Sequence, residues 1–312
     1  MRFSNPSVFE RLKLKISIEF REGNVTLQSE KTVLITGASS GMGKAIARLF
    51  STHGWNVVAT MRRPEGEMEL NTLENLCVSR LDVTDQASID TCLRQAIDEF
   101  GRIDVLVNNA GVGALGFFGE ASDHDIYQQF DVNTFGVMRV TRSLLPHFHE
   151  QCNGCVISVT SLGARVQFSN MSLYCGAKAA VESWSASLQL ELRPFGIDVK
   201  VVEPGGYRTD FTKSKIYAVG AKKDTYDGFR EEYMAWADAA ADRSSKGPQL
   251  GEPAEVAEIV YRAATDGKTT FRYSVGKDAR SLLWLKTMLP DGVFRRVIGR
   301  LVGPKYKTKF AK

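Results

Sequence analysis

The sequence predicts an α/β fold: a doubly wound parallel sheet of about seven strands with helices on both faces, in a single domain. Two observations carry this. Short β-branched runs alternate with longer amphipathic runs along most of the chain, and that alternation calls for a parallel sheet covered on both sides. A glycine-rich turn closes the first of these strands and opens the first of these helices, which is where the backbone of such folds can meet a phosphate. The 312 residues suffice for a large core, and no internal repeat or linker divides them.

The elements follow in order. Thr32–Thr36 is an apolar, β-branched strand, followed beyond the turn by a helical pattern through Ala45, Ile46, Leu49 and Phe50. Asn56–Thr60 is a second strand and Leu76–Leu81 a weaker third. Asp85–Phe100 is helical, with Ile89, Leu93 and Ile97 on one face. Asp104–Asn108 is the fourth strand, a helix spans 125–147, and Cys155–Val159 is the fifth strand. A helix over 173–192 ends before Pro194, Ile197–Val202 is the sixth strand, and Phe271–Val275 the seventh. Right-handed crossovers then favour a Rossmann-like arrangement. The main domain is 31–275, with 207–250 as a substrate-covering segment. In the extension 1–30, Leu12, Leu14, Ile16, Ile18 and Phe20 alternate with Lys13, Lys15, Ser17 and Glu19. This reads as a half-buried strand, and an edge strand, an oligomer contact and a disordered leader all fit it. Residues 276–312 form a basic tail, for which a solvated helix pair or a subunit contact is favoured over a membrane surface.

Bulk properties exclude several classes. Apolar residues make up 43%, charged residues 24%, and the formal charge of +4 gives no argument for nucleic acid. Five cysteines, an odd number without an apolar leader, fit a reducing, cytoplasmic setting. Cys152-Asn-Gly-Cys155 lacks a second pair and reads as a turn into a strand. His147 and His149 face different ways on a helix and imply no metal. No run of 18 apolar residues suggests a membrane span.

The turn reads Thr36-Gly-Ala-Ser-Ser-Gly-Met-Gly43. Its glycines let the backbone turn tightly and approach a pyrophosphate, and the following helix offers open amides and the positive end of its dipole. Gly37, Gly41 and Gly43 have GxxxGxG spacing, and here the sequence resembles the short-chain dehydrogenase/reductase family, whose turn is TGxxxGxG. The resemblance extends over about 31–275 in six segments. It places Gly37, Ser39, Ser40, Gly41, Met42 and Gly43 on the cofactor phosphates, and Asp82 and Val83 at the adenine. Asn109, Ala110 and Gly111, in the Asn-Asn-Ala-Gly segment, line the cofactor cleft. Pro204, Gly205 and Thr209 contact the nicotinamide carboxamide and pyrophosphate.

The second strand ends Thr60-Met-Arg62-Arg63, with no carboxylate to hold a free ribose 2′-hydroxyl. Guanidinium groups suit a 2′-phosphate, so NADP(H) is expected over NAD(H), with Arg62 the first choice and Arg63 the alternative.

Tyr174 and Lys178 lie one helical turn apart, so phenol and ammonium share a face. A nearby cation lowers a phenol pKa from about 10 toward working pH, which would suit Tyr174 to general acid–base work. Ser161 lies thirteen residues earlier, past the carboxyl end of the fifth strand; Ser158 and Thr160 are the neighbouring alternatives. The resemblance implies that Ser161 polarises a carbonyl oxygen, Tyr174 exchanges its proton and Lys178 also binds the nicotinamide ribose. Asn133 supports a proton-relaying water, and hydride passes between nicotinamide and carbonyl carbon.

Leu115, Phe117, Leu162, Phe168, Met171 and Tyr207 suggest a mostly apolar pocket, joined by Tyr217, Tyr226, Phe229, Tyr233 and Trp236 of the covering segment. A steroid, retinoid, fatty or aromatic ketone or aldehyde fits it better than a sugar nucleotide. The family is mostly dimeric or tetrameric, so a homo-oligomer is expected. The alternative function is a non-catalytic NADP(H) sensor or scaffold on the same fold.

Overall fold

The structure is a computed structural model that describes residues 18–21, 24–27, 30–207, 215–217, 231–232 and 250–301. Ile18–Arg21 (β1) and Asn24–Leu27 (β2) form an antiparallel pair apart from the main sheet. The alternating N-terminal stretch thus finds its partner immediately downstream; Leu12, Leu14 and Ile16 lie outside the described residues.

The body alternates as its hydrophobic rhythm predicts. Thr32–Ile35 (β3) leads through the glycine turn to Gly41–Thr52 (α1), and Asn56–Met61 (β4) is followed by Leu76–Arg80 (β5). Gln86–Phe100 (α2) starts where the Asp85 carboxylate accepts from the N–H groups of Ala87 and Ser88, and stops at the left-handed Gly101. Val105–Asn108 (β6) precedes a short strand, Gly113–Leu115 (β7). The single helix expected over 125–147 is instead Asp123–Phe130 (α3), a π-helical turn at Asp131–Phe135, and Gly136–Gln151 (α4). This π turn carries no glycine or proline that would mark a break within 125–147 in the sequence. Gly154–Val159 (β8), Ser172–Leu192 (α5) and Ile197–Pro204 (β9) complete the second half. Lys215–Tyr217 (β10) pairs parallel with β7. Pro253–Thr265 (α6), Arg272–Val275 (β11), Lys277–Met288 (α7) and Asp291–Leu301 (α8) follow.

The main sheet has seven parallel strands in the order β11-β9-β8-β6-β3-β4-β5. Chain order reverses between β3 and β6, so the carboxyl ends of those strands diverge and leave a crevice. Period two decides the packing. Val33, Ile35, Val57, Val105 and Ile157 point to one face, against Ile46 and Phe50 of α1 and Val256 and Val260 of α6. Leu34, Val58, Leu106 and Val156 point to the other, against Ile89, Leu144, Phe148 and Leu188 from α2, α4 and α5.

A third core corrects the expectation of a solvated tail. Ala279 and Leu283 of α7 and Phe294 and Ile298 of α8 pack on Leu162 and Val166, from the loop after β8. The Lys286 ammonium donates to the Arg165 carbonyl in the same loop. These helices therefore belong to the body. Phe294→Ala is expected to lower stability by about 3 kcal/mol, read as a shift in the urea midpoint. An unchanged midpoint would mean that the pair does not pack.

Candidate active site

The crevice is a cleft of about 740 Å³ at the carboxyl ends of the strands. One half is built largely from backbone. The Thr36 Oγ1 accepts from the N–H groups of Asn109 and Ala110, each at 3.0 Å. The Asn109 Nδ2 donates to the carbonyls of Thr36 and Gly37, both at 3.0 Å. These bonds clamp the ends of β3 and β6 together around the turn. Gly37 has φ +68°, and a Cβ there would lie 2.8 Å from the Ala110 Cα. A Cβ on Gly43 would lie 2.2 Å from the Gly37 oxygen. Only glycine allows that approach of turn to helix. The Ser40 hydroxyl does not cap α1, and the first helical turn carries no carboxylate. Its leading N–H groups and positive dipole end therefore favour an anion.

Gly37, Ser39, Ser40, Gly41, Met42 and Gly43 all line the cleft, as do Asp82, Val83, Asn109, Ala110, Gly111, Pro204 and Gly205. The Asp82 Oδ1 accepts from the Thr84 hydroxyl at 2.7 Å and the Thr84 N–H at 3.0 Å, which holds the carboxylate in place. Arg62 lines the cleft directly after β4. Arg63 does not: it is exposed and opens the Pro64–Gly66 turn, because the chain bends away once the strand has ended. Thr209 lies outside the described residues.

The other half is built from side chains of α5 and the β8 loop. Tyr174 and Lys178 share the inner face of α5 and both are buried. The Lys178 ammonium donates to the Val159 carbonyl at 2.9 Å. The Ser161 hydroxyl hydrogen-bonds the Tyr174 phenol and also accepts from the Gly163 N–H at 3.0 Å. Ser158 is buried in β8, and the Thr160 hydroxyl donates to the Val202 carbonyl at 3.2 Å, so Ser161 is the one beside the phenol.

Asn133 is fully buried and lies behind the cleft wall. Its Oδ1 accepts from the Val112 N–H at 2.8 Å and its Nδ2 donates to the Val112 carbonyl at 2.7 Å. A Cβ on Gly111 would lie 3.1 Å from the Asn133 Oδ1 and 3.6 Å from the Lys178 Nζ, so both side chains approach that glycine. The π turn is the local feature that carries Asn133 here.

The electrostatics correct one expectation. Lys178 was expected to lower the Tyr174 pKa; instead burial pushes the phenol up to about 12, opposed by the Ser161 hydrogen bond. Burial also pulls Lys178 down to about 8. Removing water disfavours the charged form of each group.

Leu162, Phe168, Met171 and Tyr207 line the cleft, whereas Leu115 and Phe117 do not; Leu115 is buried in β7. The side chains of Tyr217, Tyr226, Phe229, Tyr233 and Trp236 lie outside the described residues. Among the lining residues that were not foreseen are Asp278 and Leu282 of α7. The Asp278 Oδ2 accepts from the Gly206 N–H at 2.7 Å and so ties α7 to the Pro204–Gly206 segment. A carboxylate in a helix's first turn is common, and nothing local marks this one as reaching 72 residues back.

Comparison with known proteins agrees with this geometry. A family model described as short chain dehydrogenase matches residues 31–218. The chain is 31% identical over 281 residues to an uncharacterized oxidoreductase, YusZ, of Bacillus subtilis, covering 86% of this chain and 98% of that one. Among solved structures it is similar to a short-chain dehydrogenase from Streptomyces avermitilis: TM-score 0.72, 33% identity, 88% of this chain and 96% of that one. It is also similar to ElxO with NADP bound: TM-score 0.68, 26% identity, covering 81% and 99%. The 3-ketoacyl-(acyl-carrier-protein) reductase of Brucella melitensis, complexed with NADH, gives a TM-score of 0.65 at 25% identity, covering 79% and 97%.

The glycine clamp is directly testable. In Gly43→Ala the new methyl would also lie 2.5 Å from the Asn109 Nδ2. The variant is expected to lose about 2 kcal/mol of stability and at least about tenfold in dinucleotide affinity, read by urea unfolding and cofactor fluorescence. Wild-type affinity would show that the turn need not be this tight.

Proposed function

The chain belongs to the short-chain dehydrogenase family of NAD(P)-dependent oxidoreductases, and on that premise we propose that it uses NADP(H) to interconvert a carbonyl and an alcohol on a mostly apolar small molecule. The observation that carries this reading is the meeting of Ser161, Tyr174 and Lys178 in one cleft with an open glycine turn. A scaffold that only sensed the dinucleotide would need the turn but not a buried phenol bonded to a serine.

The residues fit the dinucleotide. Glycine at 37 and 43 lets the turn close tightly on the helix, α1 offers a pyrophosphate an N-terminus without a side-chain cap, and Arg62, lining the cleft after β4, is the group assigned to a 2′-phosphate. Asp82 and Val83, which line the cleft, are assigned to the adenine, and Pro204 and Gly205 to the nicotinamide; Thr209, assigned with them, lies outside the described residues. When bound, the nicotinamide supplies or accepts the hydride.

The protein's own part is proton handling and positioning. Ser161 donates to the substrate oxygen and orients it toward Tyr174. The Tyr174 phenol is neutral across the physiological range, so in reduction it can give its proton to that oxygen. Lys178 is charged below about pH 8, and its ammonium favours the phenolate left behind. Asn133 holds the Val112 backbone against the lysine and supports the proton's route back from solvent. Leu162, Phe168, Met171 and Leu282 supply the apolar wall for the substrate.

A panel of apolar ketones and aldehydes, followed by NADPH absorbance with NADH in parallel, tests the reading. Tyr174→Phe keeps the ring and removes the proton; turnover is expected to fall by roughly 10²- to 10⁴-fold with NADPH affinity retained. Equal turnover in the variant would remove Tyr174 from the mechanism. Bound NADPH with no turnover across the panel would favour the sensor. Arg62→Ala is expected to weaken NADPH by about ten- to a hundredfold and leave NADH unchanged, as for loss of a charge-assisted hydrogen bond. A preference for NADH in the wild type would contradict the role given to Arg62.

A further inference from the structure

The C-terminal helices have an outer side that the proposed chemistry does not use. Ala279 and Leu283 of α7, and Phe294 and Ile298 of α8, face inward and hold the pair on the body. On the outside of α7, Arg280, Trp284 and Met288 recur every four residues and form one stripe. Trp284 is 64% and Met288 62% exposed, and Val293 of α8 adds a third exposed apolar group. Together these apolar side chains form an exposed patch on the outside of the pair, which a partner would cover.

Charge indicates which partner. Residues 277–312 hold ten of the chain's forty Lys and Arg, but only two of its thirty-six Asp and Glu. This last stretch therefore carries a net +8, while the remaining residues together carry −4. The modest overall charge conceals a strong asymmetry, and its basic end coincides with the exposed Trp and Met.

We infer that the outer side of α7 and α8, where Arg280, Arg295 and Arg296 are exposed, docks on the surface of an anionic lipid bilayer. Tryptophan suits the boundary between headgroups and acyl chains, while Lys and Arg gain from the surface potential. A nucleic acid would meet the same cations and the Trp284 ring, but Met288 and Val293 offer it neither a stacking face nor a hydrogen bond, whereas both can enter the acyl region of a bilayer. No described helix is long and apolar enough to cross a membrane, so the contact is one of surface attachment. Leu282, two residues before Trp284, lines the cleft from the opposite side of the same helix. Docking thus leaves the cleft open, one helix width from the lipid. The inference does not depend on which carbonyl the cleft accepts.

Co-sedimentation of the full chain with vesicles of phosphatidylcholine alone, and of phosphatidylcholine with phosphatidylglycerol, tests it. The wild type should bind the anionic vesicles at least about tenfold better than the neutral ones and be released by salt. The double variant Trp284→Ser, Met288→Ser should lose about tenfold in vesicle affinity while keeping wild-type turnover of a water-soluble carbonyl. Trp284→Phe, which keeps an apolar ring, should retain binding but lose quenching by brominated lipid. Three results would overturn the inference: no vesicle binding, equal binding to neutral vesicles, or unchanged binding by the double variant. A fourth would as well: a wild-type oligomer that the double variant breaks into monomers, since a second copy would then cover the stripe.

Discussion

The burial of Lys178 is the constraint around which the cleft is organised. Its ammonium donates to the Val159 carbonyl at the end of β8, one turn along α5 from Tyr174 and near Gly111, which Asn133 also approaches. A buried cation is tolerated only where oxygen atoms converge on it. Each neighbour comes from a different part of the chain: the end of β8, the segment after β6, the π turn before α4, and α5 itself. The parallel sheet brings all of them to one edge. Burial has a second effect, because it pulls Lys178 down to about 8 while pushing Tyr174 up to about 12. The two shifts run in opposite directions because one group is charged when protonated and the other when deprotonated. Below about pH 8 both therefore hold their protons, the state required of a site that gives one away.

The two halves of the cleft solve different problems. The dinucleotide half relies on backbone: close contacts permitted by Gly37 and Gly43, a clamp from Thr36 and Asn109, and an uncapped helix end. Its side-chain clamp is already satisfied between the ends of β3 and β6, so it arrives organised. The substrate half relies on side chains, and part of its wall comes from α7, late in the chain. The Asp278–Gly206 bond links the halves, because it fixes the segment after β9 to the helix that shapes the substrate wall.

Much of this is legible in the sequence, and the misses have physical causes. The strands of the sheet are readable because Val33, Leu34 and Ile35 alternate between two fully covered faces, leaving no polar position to confuse the pattern. The glycine turn is readable because its chemistry is local. The π turn at Asp131–Phe135 is not, since Asp-Val-Asn-Thr-Phe holds no glycine or proline to mark it. Asp278 is not, because its partner is 72 residues away. The packed α7–α8 pair was mistaken for a tail because an amphipathic stripe looks the same whether it faces solvent-borne partners or its own body. The Tyr174 pKa was misjudged in direction because spacing reports that a cation is near but not that water has been removed.

The central claim is that a neutral Tyr174 donates the proton while a charged Lys178 supports it. The pH dependence of NADPH-driven carbonyl reduction, measured in single turnover, tests this most directly. Lys178 lies below its usual value, so its charge is present at neutral pH and lost as pH rises through about 8. Tyr174 lies above its usual value, so it keeps its proton over the same range. The rate should therefore be level at neutral pH and decline above about 8, and Lys178→Met should lower it and abolish that inflection. A wild-type rate that stays level or rises up to pH 10, or an inflection that survives in Lys178→Met, would contradict the account.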